Sequence, residues 1–143
     1  MKVGISATRE GLSFEQKEWL IKGLVRGIIQ IDWLGHGDCI GGDADVHEIV
    51  KKYTKARIEI FPPENPSKRA WCEGDIVHTP KPYLDRNLDI INWCDVFLGF
   101  PKGTEEVRSG TWSTIRKAKN KPGLIIYPNA EVVQLWGVSE KIK

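Results

Sequence analysis

The chain has 143 residues, 41% of them hydrophobic and 28% charged, and its 21 basic and 19 acidic side chains leave a net charge of +2. A chain of this length reads as a single domain with a core of its own, and the composition excludes disordered, collagen-like and coiled-coil classes. Residues 1–80 carry 11 basic and 12 acidic groups and residues 81–143 carry 10 and 7, so neither half has the charge of a nucleic-acid binder. No apolar run is long enough for a membrane span, and the opening MKVGISATRE turns polar too early for a signal peptide. Cys39, Cys72 and Cys94 are odd in number and form no C-x-x-C, which points to a reduced, cytoplasmic setting. Six tryptophans exceed what a core of this size needs, so one or two are expected to line a pocket.

Lys2 to Ala7 is short, apolar and strand-like. Glu15 to Ile31 predicts a helix in which Leu20, Leu24 and Ile28 recur every four residues, with Ser13 as N-cap and Gln16 completing a capping box. Asp32 to His36 is a strand candidate, followed by a glycine-rich stretch from Gly37 to Asp43. Val46, Ile49, Val50 and Tyr53 mark a second helix, and Arg57 to Phe61 a strand stopped by prolines. Glu64 to Pro82 reads as a polar loop, longer than the roughly 12–15 residues beyond which loops are usually functional or mobile. Leu84, Leu88 and Ile91 mark a third helix, Asp95 to Phe100 a strand buried on both faces, and Thr111, Ile115 and Ala118 a fourth helix. Leu124 to Tyr127 is the next strand, and residues 131–138 are left as a last strand or turn.

Strands alternating with helices predict an α/β domain: three layers, Rossmann-like, with a mainly parallel sheet of about five strands and helices on both faces. Ligands of such sheets bind at the carboxyl ends of the strands, near the switch in strand order. Those ends hold Ser6 to Arg9, Gly37 to Asp43, Phe61 to Glu64 and Pro101 to Thr111.

Two stretches place a helix start beside such an end. In HGDCIGGDADVHEIV, Gly41 and Gly42 permit a sharp turn, and the following helix start offers free N–H groups and a positive dipole end to phosphate or ribose oxygens. The alternative is a plain strand-to-helix turn with Asp43 as its cap. The spacing is neither G-x-G-x-x-G nor a P-loop. In RSGTWSTIRKA, Ser109, Gly110 and Thr111 repeat the arrangement, or Ser109 or Thr111 only caps the helix. Arg86 and Asn87 begin the third helix, where a guanidinium can fork onto phosphate or pair with Asp85 or Asp89 at the surface. Trp71 in the long loop and Trp112 at a helix start can stack on a base, whereas Trp19 and Trp93 read as core. His36, Cys39 and His47 match no zinc spacing, so no metal is expected, and Cys72 and Cys94 read as buried apolar groups.

Taken in order, GISATRE, GHGDCIGGDADVHEI, YLDRNLDIINWCDVFLGFP and SGTWSTIRKAKNKPGLIIYP resemble the SLOG superfamily of Rossmann-like domains. That superfamily includes the lonely-guy phosphoribohydrolases, the DNA-processing protein A family and nucleotide-sensing domains of bacterial defence systems. The resemblance spans roughly residues 3–129 apart from the loop 64–80. It implies a pocket for a nucleotide-derived small molecule, often in a homodimer, with no further cofactor. Ligand contacts are then expected at Ser6, Thr8, Arg9, Gly41, Gly42, Asp43, Trp71, Tyr83, Arg86, Asn87, Pro101, Ser109, Gly110, Thr111, Trp112 and Thr114. The phosphoribohydrolases carry P-G-G-x-G-T-x-x-E; aligning Gly110-Thr111 with their G-T puts Thr114 in place of the catalytic Glu. Glu105 and Glu106, after Gly103-Thr104, are the only nearby carboxylates, so the catalytic pattern is broken.

Three functions compete: a module that senses or sequesters a nucleotide derivative, a nucleotide N-glycosidase or deoxyribosyltransferase-like enzyme, and a single-strand DNA binder. Two structural expectations accompany the first. Arg86 touches ligand with little weight in stability, and the loop from Glu64 to Pro82 covers the pocket with Trp71 against it.

Overall fold

The computed structural model describes residues 1–135. Strand β1 (Lys2–Ala7) lies at the centre of the sheet, since Val3, Ile5 and Ala7 are buried and neighbouring strands pair along both its edges. Around it run α1 (Phe14–Val25), β2 (Trp33–His36), α2 (Gly42–Tyr53), β3 (Arg57–Ile60), β4 (Ile76–Val77), α3 (Tyr83–Trp93), β5 (Val96–Phe100), α4 (Gly110–Lys117), β6 (Gly123–Ile126) and β7 (Val132–Gln134). The spatial order is β4-β3-β2-β1-β5-β6-β7. All pairs are parallel except β6 with β7.

Among the described residues the sheet thus has seven strands, where about five were expected. The two additions are edge strands of two and three residues, too short to show a period in sequence. One lies inside the stretch read as loop, which also forms a 3-10 turn at Pro66–Lys68. The other takes up part of 131–138; residues 136–138 lie outside the described residues.

Helices cover both faces. On one, α1 and α2 pack together, and Leu20, Leu24, Val46, Ile49 and Val50 meet Val3, Ile5, Leu34, Ile58 and Ile60. On the other, α3 and α4 bring Ile90, Ile91, Trp112 and Ile115 onto Phe97, Ile125 and Phe61. Trp19 and Trp93 are half-buried against these two cores.

Helix α1 carries the expected capping box, with Ser13 Oγ accepting from the Gln16 amide and the Gln16 side chain accepting from Ser13 N–H. It ends at Val25, not Ile31. Gly27 takes φ +73°, and the chain doubles back so that the Ile28 and Ile29 amides both donate to Gly23 C=O. Ile28, expected on the buried face, is 77% exposed as a result. Helix α3 is rotated from the expected face. Arg86, Asn87, Ile90 and Ile91 are buried, and Leu84 and Leu88 are exposed.

Successive crossovers move outward from β1 to β4, and the chain then returns to place β5 on the other side of β1. This reversal between β1 and β5 opens a crevice at their carboxyl ends, where open α/β sheets bind ligands.

Candidate functional site

A cavity of about 460 Å³ occupies that crevice. Its walls are the end of β1 and its loop (Ser6 to Glu10), Gly37, Cys39 and Asp43 after β2, the start of α3, and the segment from β5 into α4. Of the expected ligand contacts, Ser6, Thr8, Arg9, Asp43, Tyr83, Arg86, Asn87, Ser109, Gly110 and Thr111 line it. Glu106 lines it as well, together with Lys102 and Arg108. Gly37, Cys39, Lys102 and Arg108 fall inside the strand-end ranges legible in sequence, although none was expected as a ligand contact; Glu10 lies just beyond one.

Seven expected residues lie elsewhere. Trp112 is 1% exposed, packed in the core between α4 and the sheet, and its Nε1 has no hydrogen-bond partner among the described residues. The period of α4 turns this indole inward, so it cannot stack on a ligand. Thr114 is also buried and donates to Gly110 C=O inside the helix. Trp71 is 61% exposed with φ +59°, and the Arg69 guanidinium sits 3.9 Å from its ring centroid. The loop that carries Trp71 is bonded to the segment after β2, where the Ala70 amide donates to Asp38 C=O, and to the β3 edge through β4, and none of its residues lines this cavity. Pro101 uses its carbonyl to accept from Gln16 Nε2. Glu105 pairs with Arg116 at 3.0 Å, away from the cavity.

Gly41 and Gly42 act behind the wall instead of in it. Gly41 is the N-cap of α2 with φ +100°, and a Cβ there would lie 2.1 Å from Arg9 C=O. Gly42 N–H donates to Thr8 C=O at 2.8 Å. The β1 loop therefore sits across the start of α2, which the sequence had suggested for phosphate. The start of α4 does open into the cavity. Ser109 caps it by accepting from Trp112 N–H, and the Gly110 and Thr111 amides have no intrahelical acceptor.

Asp43 does not cap α2. It is 4% exposed, and its Oδ2 accepts from the Gly37 and Cys39 amides, each at 3.2 Å. Its Oδ1 has no hydrogen-bond partner among the described residues. Burial pushes this carboxyl up to about 6, against the nearby Arg86 guanidinium, which lowers it. A buried carboxylate oxygen left unpaired costs about 1–3 kcal/mol or more and calls for a functional account.

Arg86 is not at the surface either. Its Nη1 donates to Gly37 C=O at 2.6 Å and Phe61 C=O at 3.2 Å, Nε to Asn87 Oδ1 at 2.7 Å, and Nη2 to Cys39 Sγ at 3.3 Å. Of five guanidinium donors, one N–H on Nη2 remains for a ligand. The side chain clasps the ends of β2 and β3 to α3, while Asp89, its expected surface partner, pairs with Lys81. Tyr83 stands between two guanidinium groups, Arg86 at 4.8 Å and Arg9 at 5.7 Å from its ring centroid. Among the described residues neither Arg9 nor Arg108 forms an ion pair, while Lys102 pairs with Glu10 at 3.3 Å.

Beside the cavity, His36 Nε2 and His47 Nδ1 stand 3.0 Å apart, with Cys72 Sγ close enough to complete a group of three. Their hydrogen bonds set the tautomers. Asp38 N–H donates to His36 Nδ1 at 2.9 Å, so the proton of the neutral ring is on Nε2, pointing at His47. A metal would need that nitrogen bare, so this polarity suits a proton-bearing pair and not a metal. Burial lowers His36 to about 3 and lowers His47 too, holding both neutral. Cys72 is pushed up to about 12 by burial and Asp38, and burial raises Cys39 and Cys94, so no thiol here is activated. All three cysteines are unpaired.

No protein-family model matches the chain, and no curated protein matches it. Among solved structures it is similar to TM1055, a structural genomics target, with a TM-score of 0.59 at 16% identity over 85% of this chain and 71% of that one. This likeness shows the fold.

Proposed function

We propose that the protein binds an anionic, nucleotide-derived small molecule in the cavity between β1 and β5, as a sensing or sequestering module of SLOG type. The observation that carries this reading is the convergence, in one cavity, of the open start of α4 with the uncommitted cations Arg9 and Arg108. Free first-turn amides and a positive helix end suit a phosphate, and guanidinium groups fork onto it. The buried Asp43 and Asn87 supply an acceptor and an amide for hydroxyl groups beyond the phosphate. Calorimetric titration with ribose 5-phosphate tests the reading. Binding weakened tenfold or more by Arg9→Ala or Arg108→Ala supports it, and no detectable binding overturns it.

A second reading, acid–base chemistry on the bound nucleotide, is favoured by Asp43. Its elevated pKa and vacant oxygen resemble those of a proton-transferring carboxyl. Glu106 is the other candidate at the cavity. Incubation with nucleoside 5′-monophosphates, followed by chromatography for free base, separates the two readings. Release of base that is abolished by Asp43→Asn or Glu106→Gln makes the protein an enzyme.

A further inference from the structure

A second cavity of about 330 Å³ adjoins the first. Arg9, Cys39 and Tyr83 belong to both walls, so the two are compartments of one cleft. The remaining walls of the second come from the segment after β3 and the approach to α3: Pro63, Glu64, Asn65, Lys68 and Pro82. They belong to the strand end Phe61 to Glu64 and to the loop Glu64 to Pro82 expected over the pocket, although none was expected individually as a ligand contact.

The two compartments differ in chemistry. The first has the free amides of α4 and holds Arg9, Arg86, Lys102 and Arg108. In the second, Pro63 and Pro82 present rigid apolar surface beside the Tyr83 ring, which the Arg9 and Arg86 guanidinium groups flank. Only a few polar groups stand at its edge. Asn65 commits its Oδ1 to the Ser67 amide and hydroxyl, which leaves its Nδ2 donors for a ligand. The Glu64 carboxylate can accept, and Lys68 can donate. Apolar walls with a few edge donors and acceptors fit a planar heterocycle.

Resting on the reading above, we propose that the second compartment is the nucleobase subsite: phosphate and sugar lie in the β1–β5 cavity, and the base passes the Arg9–Tyr83 saddle to lie between Pro63, Pro82 and Tyr83. The base-contacting surface is then built by residues 63–68 together with Pro82 and Tyr83. It does not include Trp71.

The test compares ribose 5-phosphate with AMP, GMP, CMP and UMP on the full chain by calorimetry. At least one nucleotide is expected to bind ten times more tightly than ribose 5-phosphate, which shares everything but the base. Glu64→Trp and Lys68→Trp, both at exposed positions, fill the second compartment. They are expected to erase that tenfold gain while leaving the affinity for ribose 5-phosphate within twofold. Should ribose 5-phosphate bind and no nucleotide bind better, or should the gain survive both substitutions, the base subsite is refuted and the phosphate reading stands. Should neither ribose 5-phosphate nor any nucleotide bind, both fall together.

Discussion

Asp43 shows how tertiary position overrides a local reading. In sequence an Asp after two glycines at a helix start is a cap, but here the cap is Gly41, and the carboxylate turns back to the amides of Gly37 and Cys39. Its pKa lies above the ordinary 3.8, at about 6, so the folded state binds the proton more tightly than the unfolded chain. Folding stability therefore falls as pH rises from about 4 to 6 and levels off above, by an amount on the order of 2–3 kcal/mol. Asp43→Asn removes that slope, and a denaturation series from pH 4 to 8 should show the variant gaining on the native protein as pH rises. A native slope that persists in the variant would place its origin elsewhere. Arg86 likewise departs from its sequence reading, as a clasp with one spare donor. Arg86→Ala leaves the carbonyls of Gly37 and Phe61 without their buried donor, each worth about 1–3 kcal/mol. Thermal melting should fall clearly, where the sequence alone had suggested almost no change.

At the scale of elements, the starts of α2 and α4 look alike in sequence and do opposite work. Gly41 lets the β1 loop lie against the start of α2, with Gly42 N–H bonded to Thr8. Gly41→Ala puts a side chain at φ +100° and into Arg9 C=O. It should cost at least 1–3 kcal/mol of stability in chemical denaturation and displace the Thr8–Arg9 wall of the cavity. Ribose 5-phosphate affinity should drop with it. Helix α1 buries the expected Leu20 and Leu24 and departs only by ending before Ile28, whereas α3 buries a face other than the expected one. A four-residue recurrence of apolar side chains fits more than one helical face, and nothing local says where the sheet lies. The capping box of α1 was legible because all its partners lie within three residues of one another.

For the molecule as a whole, the reversal of strand order between β1 and β5 decides where ligand chemistry gathers. Hydrogen exchange with and without AMP should show protection at residues 6–10, 37–39 and 102–111. Segment 75–77 should remain unchanged, because its amides are tied to β3 at the sheet edge and none of its residues lines the cleft. Trp71→Ala should leave AMP affinity within twofold by titration. A tenfold loss would show that the loop closes over the ligand after all. The alternation of strands and helices, the buried central strands and the strand-end ranges were all readable from sequence, since each rests on periods and punctuation within a few residues. Which side chains from those ranges meet in one cavity was not. It depends on β5 returning beside β1, on Arg86 reaching carbonyls 25 and 49 residues away, and on a pair of two- and three-residue edge strands. These are contacts between distant segments, whose selection is made by packing across the sheet and leaves no local pattern to read.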